Sequence, residues 1–259
     1  MKITGIWLTK NSEKFIGYSL ASLMNVLDHL IVVDSGSTDN THKIVSLLKN
    51  PKIQLIALSE KATMDEAVCR GFEHFDGDVV MLLGDDYIWD NVNASRLREW
   101  CERGVKLNKR GLLCSVYNLG FSPDKYFSCV KRVFVTFQQK NDPLMCIGSF
   151  LTDDFDIVHK SETRMKKGKV CPTKIRTRFY LPTPLGFTHW KYLKDTKEYF
   201  IYKFLLFQQH IATREMAEHQ WDMLQKQETF KYPHSVSEVF IKYRDKFVPL
   251  GGFDVEKTA

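Results

Sequence analysis

Leu30-Ile31-Val32-Val33-Asp34-Ser35-Gly36-Ser37-Thr38-Asp39 sets the architecture of this chain: a short apolar run that ends abruptly in small and acidic residues. A run of this length, rich in β-branched residues, reads as a strand buried on both faces. Upstream, Ile3 to Leu8 gives a second such run, and Glu13 to Val26 between them carries Phe15, Ile16, Leu20 and Leu23 at the spacing of a helix face. Strand, helix and strand in so short a length form a βαβ unit, which requires a parallel sheet. Downstream the alternation continues. Asn40 to Leu48 is a helix that Thr38 or Asp39 is placed to cap, Ile53 to Leu58 a strand, Asp65 to Phe75 a helix, and Asp78 to Leu83 a strand.

In open α/β sheets ligands bind beyond the carboxyl ends of the strands. The polar clusters of this sequence lie at those ends: Thr9-Lys10-Asn11 after the first strand, Asp34-Ser35-Gly36 after the second, Gly84-Asp85-Asp86 after the fourth. The pattern therefore predicts that loops distant in sequence converge on one cleft. Two adjacent carboxylates at a strand end suit a magnesium or manganese ion bridging diphosphate oxygens, and they suit equally a solvated turn with a capping aspartate.

Past Asn91 the pattern loosens. Ala94 to Val105 reads as a helix, Gly111 to Leu119 and Val130 to Phe137 as strands, and Lys166 to Lys174 as a basic, turn-rich connection. A Pro-rich connection leads to His189 in Gly186-Phe187-Thr188-His189-Trp190, and the chain turns helical from Asp195 to about Lys226. The expected architecture is α/β, with a catalytic domain over residues 1–192 and a helical C-terminal extension over 193–259. The aromatic stretch Tyr199 to Phe207 has two readings. It packs on the catalytic domain, or with Lys194, Lys197 and Lys203 it lies on a membrane surface.

The chain has 259 residues, 44% hydrophobic and 26% charged, enough to bury a full core. No apolar run reaches the roughly 18 residues of a membrane-spanning helix. Met1-Lys2-Ile3-Thr4 leads straight into a strand pattern rather than a signal peptide, so a cytoplasmic location is expected. Six cysteines, at 69, 101, 114, 129, 146 and 171, contain no CxxC pair and read as reduced, mostly buried thiols. The formal net charge of +6 suits an anionic ligand such as a nucleoside diphosphate, and also nucleic acid or an acidic membrane.

Thr9-Lys10-Asn11-Ser12-Glu13, Ile31 through Thr41, and Gly77-Asp78 ahead of an apolar strand and an acidic turn together resemble glycosyltransferase family 2, of GT-A fold. The resemblance spans about the first 90 residues. It implies a Rossmann-like nucleotide-binding domain with a mixed, mainly parallel sheet, a nucleotide-sugar donor, usually a divalent Mn2+ or Mg2+ ion, and inversion at the anomeric carbon. Carried over, it places Thr9, Asn11 and Glu13 at the nucleotide end of the cleft, Asp34 with Ser35 at the base, and Arg70 near the diphosphate. The usual Asp-x-Asp turn is altered: aligned on Leu83-Gly84-Asp85, leucine stands at the first acidic position. Asp85 then falls on the metal-facing aspartate, and Asp86 follows it. Thr152-Asp153-Asp154-Phe155-Asp156 resembles the family's base segment, which makes Asp154 the candidate general base, supported by Asp153 and Asp156.

A late histidine in related enzymes implies a metal or diphosphate contact for His189, against the plainer reading of a structural histidine. Asp39 is read as a helix cap. Lys131, Arg132, Arg176 and Arg178 offer phosphate contacts or simply a solvated basic face. The acceptor expected is a glycan or other hydroxyl; transfer onto a modified DNA base and a nucleotidyltransferase are the competing readings. The latter is weakened because Leu8-Thr9-Lys10-Asn11 has no glycine.

Overall fold

A computed structural model describes residues 1–119, 125–137, 145–152, 161–166, 169–174, 179–190, 197–207 and 213–234. The N-terminal half alternates as the sequence predicts: β1 Ile3–Thr9, α1 Ile16–Leu23, β2 His29–Asp34, α2 Thr41–Leu47, β3 Ile53–Ala57, α3 Met64–Glu73 and β4 Val79–Gly84. A two-residue strand β5, Tyr87–Ile88, and helix α4, Asn91–Lys106, follow the acidic turn. Then come β6 Gly111–Leu119, β7 Lys125–Phe137, β8 Met145–Thr152, β9 Ser161–Lys166, β10 Lys169–Lys174 and β11 Tyr180–His189. Helices α5, Lys197–Phe207, and α6, Arg214–Gln225, precede a short last strand, β12 Phe230–Lys231.

Strands β1, β2, β3 and β4 are parallel, in the order β4-β1-β2-β3. On the other side of β4 lies β7, antiparallel, which also pairs with β6 and β8, so the sheet is mixed around a parallel core. Alternation along β1 explains why the run is apolar throughout. Ile3 and Trp7 join one cluster with Phe15, Leu20 and Leu23, whereas Ile6 joins the opposite cluster with Ala67, Val68 and Phe72. Helices thus cover both faces, α1 on one and α3 on the other. Gly71 of α3 lies so close to β1 that a Cβ there would meet Ile6 Cγ2 at 2.5 Å.

Helix starts follow their caps. Thr63 accepts from Glu66 N at 3.2 Å to open α3, and Asp90 accepts from Asn93 N at 2.9 Å to open α4. Helix α1 starts later than its apolar pattern suggests, at Ile16, because Ser12 O takes the amides of both Phe15 and Ile16 and makes a preceding turn.

Two segments correct the sequence reading. The basic connection from Lys166 to Lys174 is part of a hairpin, in which Lys169 pairs with Lys166 and Lys174 with Ser161. The Pro-rich connection before His189 is strand β11, parallel to β6 along its length. Its register slips between Pro182 and Gly186, and among the described residues the other strand it meets, β5, covers just Thr188 and His189. The prolines therefore sit where β11 has no second neighbour among the described residues and no ladder donor is needed. Strand β7 also starts earlier than expected, at Lys125.

Helices α5 and α6 pack through Phe200, Ile201, Phe204, Ala217 and Leu224, which favours the packing role for the aromatic stretch. Strand β12 pairs with β7, and Tyr232 beyond it is buried against the main core. Among the described residues, no helix is long and apolar enough to cross a membrane, and cysteines 69, 101, 114 and 129 are free thiols.

Candidate active site at the carboxyl ends of β1, β2 and β4

Parallel pairing aligns Thr9 with Asp34 and Leu8 with Gly84, so the three polar clusters emerge side by side. Their loops are stapled by reciprocal hydrogen bonds. Asn11 N donates to Ser37 Oγ at 2.7 Å, and Thr38 N donates to Asn11 Oδ1 at 2.8 Å. Glu13 N donates to Asp39 Oδ2 at 3.1 Å, while the Glu13 carboxylate accepts from Asn40 N at 3.0 Å and Asn40 Nδ2 at 2.8 Å. Ser35 N closes on Thr9 O at 3.0 Å. Asn11 stands at φ 49, and Gly36 at φ 75, the left-handed turns that fold each loop back. The cap position of α2 is Asn40, whose side chain makes no capping bond, rather than Thr38 or Asp39; Asp39, one residue earlier, accepts from Thr41 N at 3.0 Å and also ties the two loops.

Asp34 is fully buried, and its carboxylate accepts from Ser37 N at 3.1 Å, from Ser37 Oγ and from His42 Nε2. The carboxylate expected at the base is thus oriented by its own loop, with a half-exposed imidazole beside it.

The two aspartates of the acidic turn point to different neighbourhoods. Asp85, 3% exposed, takes Thr9 Oγ1 at 3.3 Å and Ser12 Oγ on Oδ2, and the ammonium of Lys203 lies 3.7 Å from the same oxygen. Asp86 faces His189 instead, its Oδ1 3.6 Å from Nε2. The imidazole is fixed from behind: Asn118 Nδ2 donates to Ser128 Oγ at 2.8 Å, which turns the amide oxygen toward His189 Nδ1, also at 2.8 Å. An amide oxygen only accepts, so Nδ1 carries a proton. The Tyr87 ring packs on the imidazole at 4.6 Å between centroids.

That arrangement sets Nε2 of the imidazole 3.6 Å from a carboxylate oxygen. Protonated on Nε2 the imidazole makes an ion pair with Asp86; with Nε2 deprotonated the two side chains form a nitrogen and oxygen donor pair for a divalent ion, and the backing carbonyl is the usual second contact of a metal-bound histidine. The donor set of one carboxylate and one imidazole fits Mn2+ or Mg2+. Among the described residues no three His, Cys, Asp or Glu side chains gather into a fuller cluster. Of the expected metal residues, Asp85 has the Lys203 ammonium 3.7 Å from its carboxylate, whereas Asp86 faces His189.

Other expected contacts fall elsewhere. Arg70 is in the last turn of α3, which runs back toward the amino ends of the strands, and it pairs there with Glu73 at 2.6 Å. The structure does not bring it to the cleft. Lys131 Nζ donates to Ser115 Oγ. Asp153, Asp154, Asp156, Arg176 and Arg178 lie outside the described residues, as does the side chain of Arg132.

Residues 6–108 match the model of Glycosyl transferase family 2. Solved structures similar to the chain include residues 1–349 of TarS from S. aureus, with 21% identity, 46% of this chain and 35% of that chain covered, and a TM-score of 0.35. TarS 1–349 has also been solved in complex with UDP-GlcNAc. Another is glucosyl-3-phosphoglycerate synthase from Mycobacterium tuberculosis with Mn2+, UDP and phosphoglyceric acid, at 23% identity, 46% and 43% coverage, and a TM-score of 0.33. The chain spans about a third of the length of the TarS structure and less than half of the synthase. No match was found among curated proteins. The matched segment takes in most of β1, all of β2 and β4 and the three loops of the cleft, so the similarity to glycosyl transferase family 2 falls on the part of the chain that builds the candidate site.

Proposed function

We propose that this glycosyltransferase moves a sugar from a UDP-linked donor to an acceptor hydroxyl, with inversion and with the help of a divalent ion. The observation that carries the reading is the pairing of Asp86 Oδ1 with His189 Nε2 at 3.6 Å, beside the loops of Thr9 and Asp34. Thr9, Asn11, Glu13, Asp34 and Ser35 are assigned to the nucleotide end of the cleft. There the stapled loops present backbone and hydroxyl groups in a fixed frame, which lowers the ordering cost of binding.

Asp86 and His189 are the residues assigned to hold Mn2+ or Mg2+. Held there, a divalent ion would supply positive charge against that building on the departing diphosphate. Asn118 keeps the imidazole proton on Nδ1, which makes Nε2 the nitrogen assigned as ligand. The base that takes the acceptor proton is assigned to Asp154, with Asp153 as its support, on the family resemblance alone.

The test is a donor-hydrolysis and binding screen across nucleotide-sugars with and without manganese. UDP-sugars are expected to bind and turn over in a manganese-dependent way. Asn118→Ala, which unlocks the imidazole but keeps both assigned ligands, is expected to weaken metal affinity roughly 10–100-fold. Turnover unaffected by Asp86→Ala would remove the metal assignment, and absence of binding to any nucleotide-sugar would remove the donor reading.

A further inference from the structure

Lys203 is a lysine that is only 3% exposed, on a helix far from the cleft in sequence. Its ammonium donates to Lys10 O at 2.9 Å, Asn11 O at 3.1 Å and Ser12 Oγ at 2.9 Å, and Asp85 Oδ2 lies 3.7 Å away. Two successive carbonyls converge on one point because Asn11 between them is left-handed, at φ 49. Among the described residues the result is an enclosure of oxygens: two carbonyls, a hydroxyl and a carboxylate. Such a donor set suits a hard cation, and here the cation arrives on a side chain. Three acceptors meet the ammonium protons and a carboxylate lies beside them, the conditions under which a lysine is tolerated in an interior.

Neighbouring turns of α5 face the same loop. Tyr202 Oη accepts from Asn11 Nδ2 at 2.5 Å, and Lys14 Nζ sits over the Tyr199 ring at 4.6 Å. Positions 199, 202 and 203 share one side of a helix by their spacing. The loop on β1 is thus fixed from two directions: its backbone by Ser37 and Asp39 of the β2 loop and by Lys203 of α5, and the Asn11 side chain between Thr38 N and Tyr202 Oη.

We propose that Lys203 is a positioning residue that serves as a tethered cation, filling an oxygen cage at Lys10, Asn11, Ser12 and Asp85 and holding the donor-binding loop in shape. Donor affinity then depends on the seating of α5. The cage itself is independent of the assigned reaction; only the consequence for donor affinity rests on the UDP-sugar reading.

The experiment replaces the cation. Lys203→Ala removes Cγ, Cδ, Cε and Nζ, which n-propylammonium restores atom for atom. Hydrogen exchange of the amides of residues 9–13, measured without nucleotide, is expected to speed up roughly 100-fold or more in the variant, the scale of losing one partner of a buried ion pair. Millimolar n-propylammonium restores protection, and with it the KM for a UDP-sugar, while tetramethylammonium at equal ionic strength does neither. The wild-type protein responds to neither salt. Equal rescue by both salts, or no rescue of a folded Lys203→Ala protein, overturns the proposal. Should that variant fail to fold, Lys203→Met keeps the stem and removes the charge: wild-type protection in it overturns the proposal, and loop-confined loss supports it. A wild-type protein that binds no nucleotide-sugar, yet shows the exchange and rescue pattern, refutes the donor reading and leaves the cage standing.

Discussion

Replacing Tyr232 by phenylalanine tests how firmly the segment after α6 is built into the catalytic core. Tyr232 is 3% exposed, and its hydroxyl donates to Asp90 Oδ2 at 2.6 Å. Asp90 is itself 1% exposed and caps α4, accepting from Asn93 N at 2.9 Å and from Asn93 Nδ2 at 2.7 Å. The substitution keeps the ring and its edge contact with Tyr117 at 5.0 Å, and deletes only the oxygen. A hydrogen bond to a charged acceptor is worth about 1.5–3 kcal/mol, and the cap retains its two bonds to Asn93, so a loss of about 2 kcal/mol is expected. For a chain of this size that lowers Tm by roughly 4–8 °C.

The pH dependence carries a second signature. Burial, and then the Asp90 carboxylate, push the Tyr232 hydroxyl well above the ordinary tyrosine range. The unfolded chain releases this proton near pH 10 and the folded chain does not, so the unfolded state binds fewer protons there. Stability from this group is complete below about pH 10 and falls by about 1.4 kcal/mol per pH unit above it. Urea unfolding at pH 7.5 and pH 10.5 should show Tyr232→Phe destabilised at the first and less pH-sensitive than wild type between the two. Midpoints within about 0.5 kcal/mol of wild type at pH 7.5 would refute the placement of Tyr232 on the α4 cap.

The thiols of Cys101 and Cys114 are held protonated by burial, Cys114 up to about 12. At pH 8 an aromatic disulfide reagent should therefore leave both unmodified in the folded protein and reach them after urea is added; mass mapping of the labelled peptides decides it. Gly36→Ala forces a side chain onto a backbone at φ 75, with its Cβ 2.5 Å from Glu60 N and Cα. Unfolding should show a loss above about 1 kcal/mol, and the KM for a UDP-sugar should rise because Asp34 and Ser37 share that turn.

Much of the parallel core could be read directly, for reasons the structure makes plain. Strands β1, β2 and β4 are buried on both faces, so their sequences are unbroken apolar runs, and their polar ends fall beyond the carboxyl edge. The altered acidic turn was legible as a cluster but not in its division of labour. Asp85 and Asp86 are adjacent, and only the fold shows one turned to Ser12 and Lys203 and the other to His189. Strand β11 was hidden because Pro182, Pro184 and Gly186 signal a turn in isolation, whereas an edge with a slipped register accepts them. Lys203 was beyond reach for another reason: its partners at residues 10–12 lie about 190 positions away. A lysine among aromatics reads most naturally as a side chain reaching for solvent.

The sheet order also sets a sequence of events for the growing chain. Strand β4 is flanked on one side by β1, already synthesised, and on the other by β7, whose contacts at Val135, Thr136 and Phe137 come much later. Through residue 108 the nascent chain therefore carries β4 with a bare edge of Val79, Val80 and Met81, an open template for a neighbouring chain. The family-matching segment contains the nucleotide loops but cannot close its own sheet. Its protection during synthesis falls to β7, and completion of the sheet waits for β11 to reach β6.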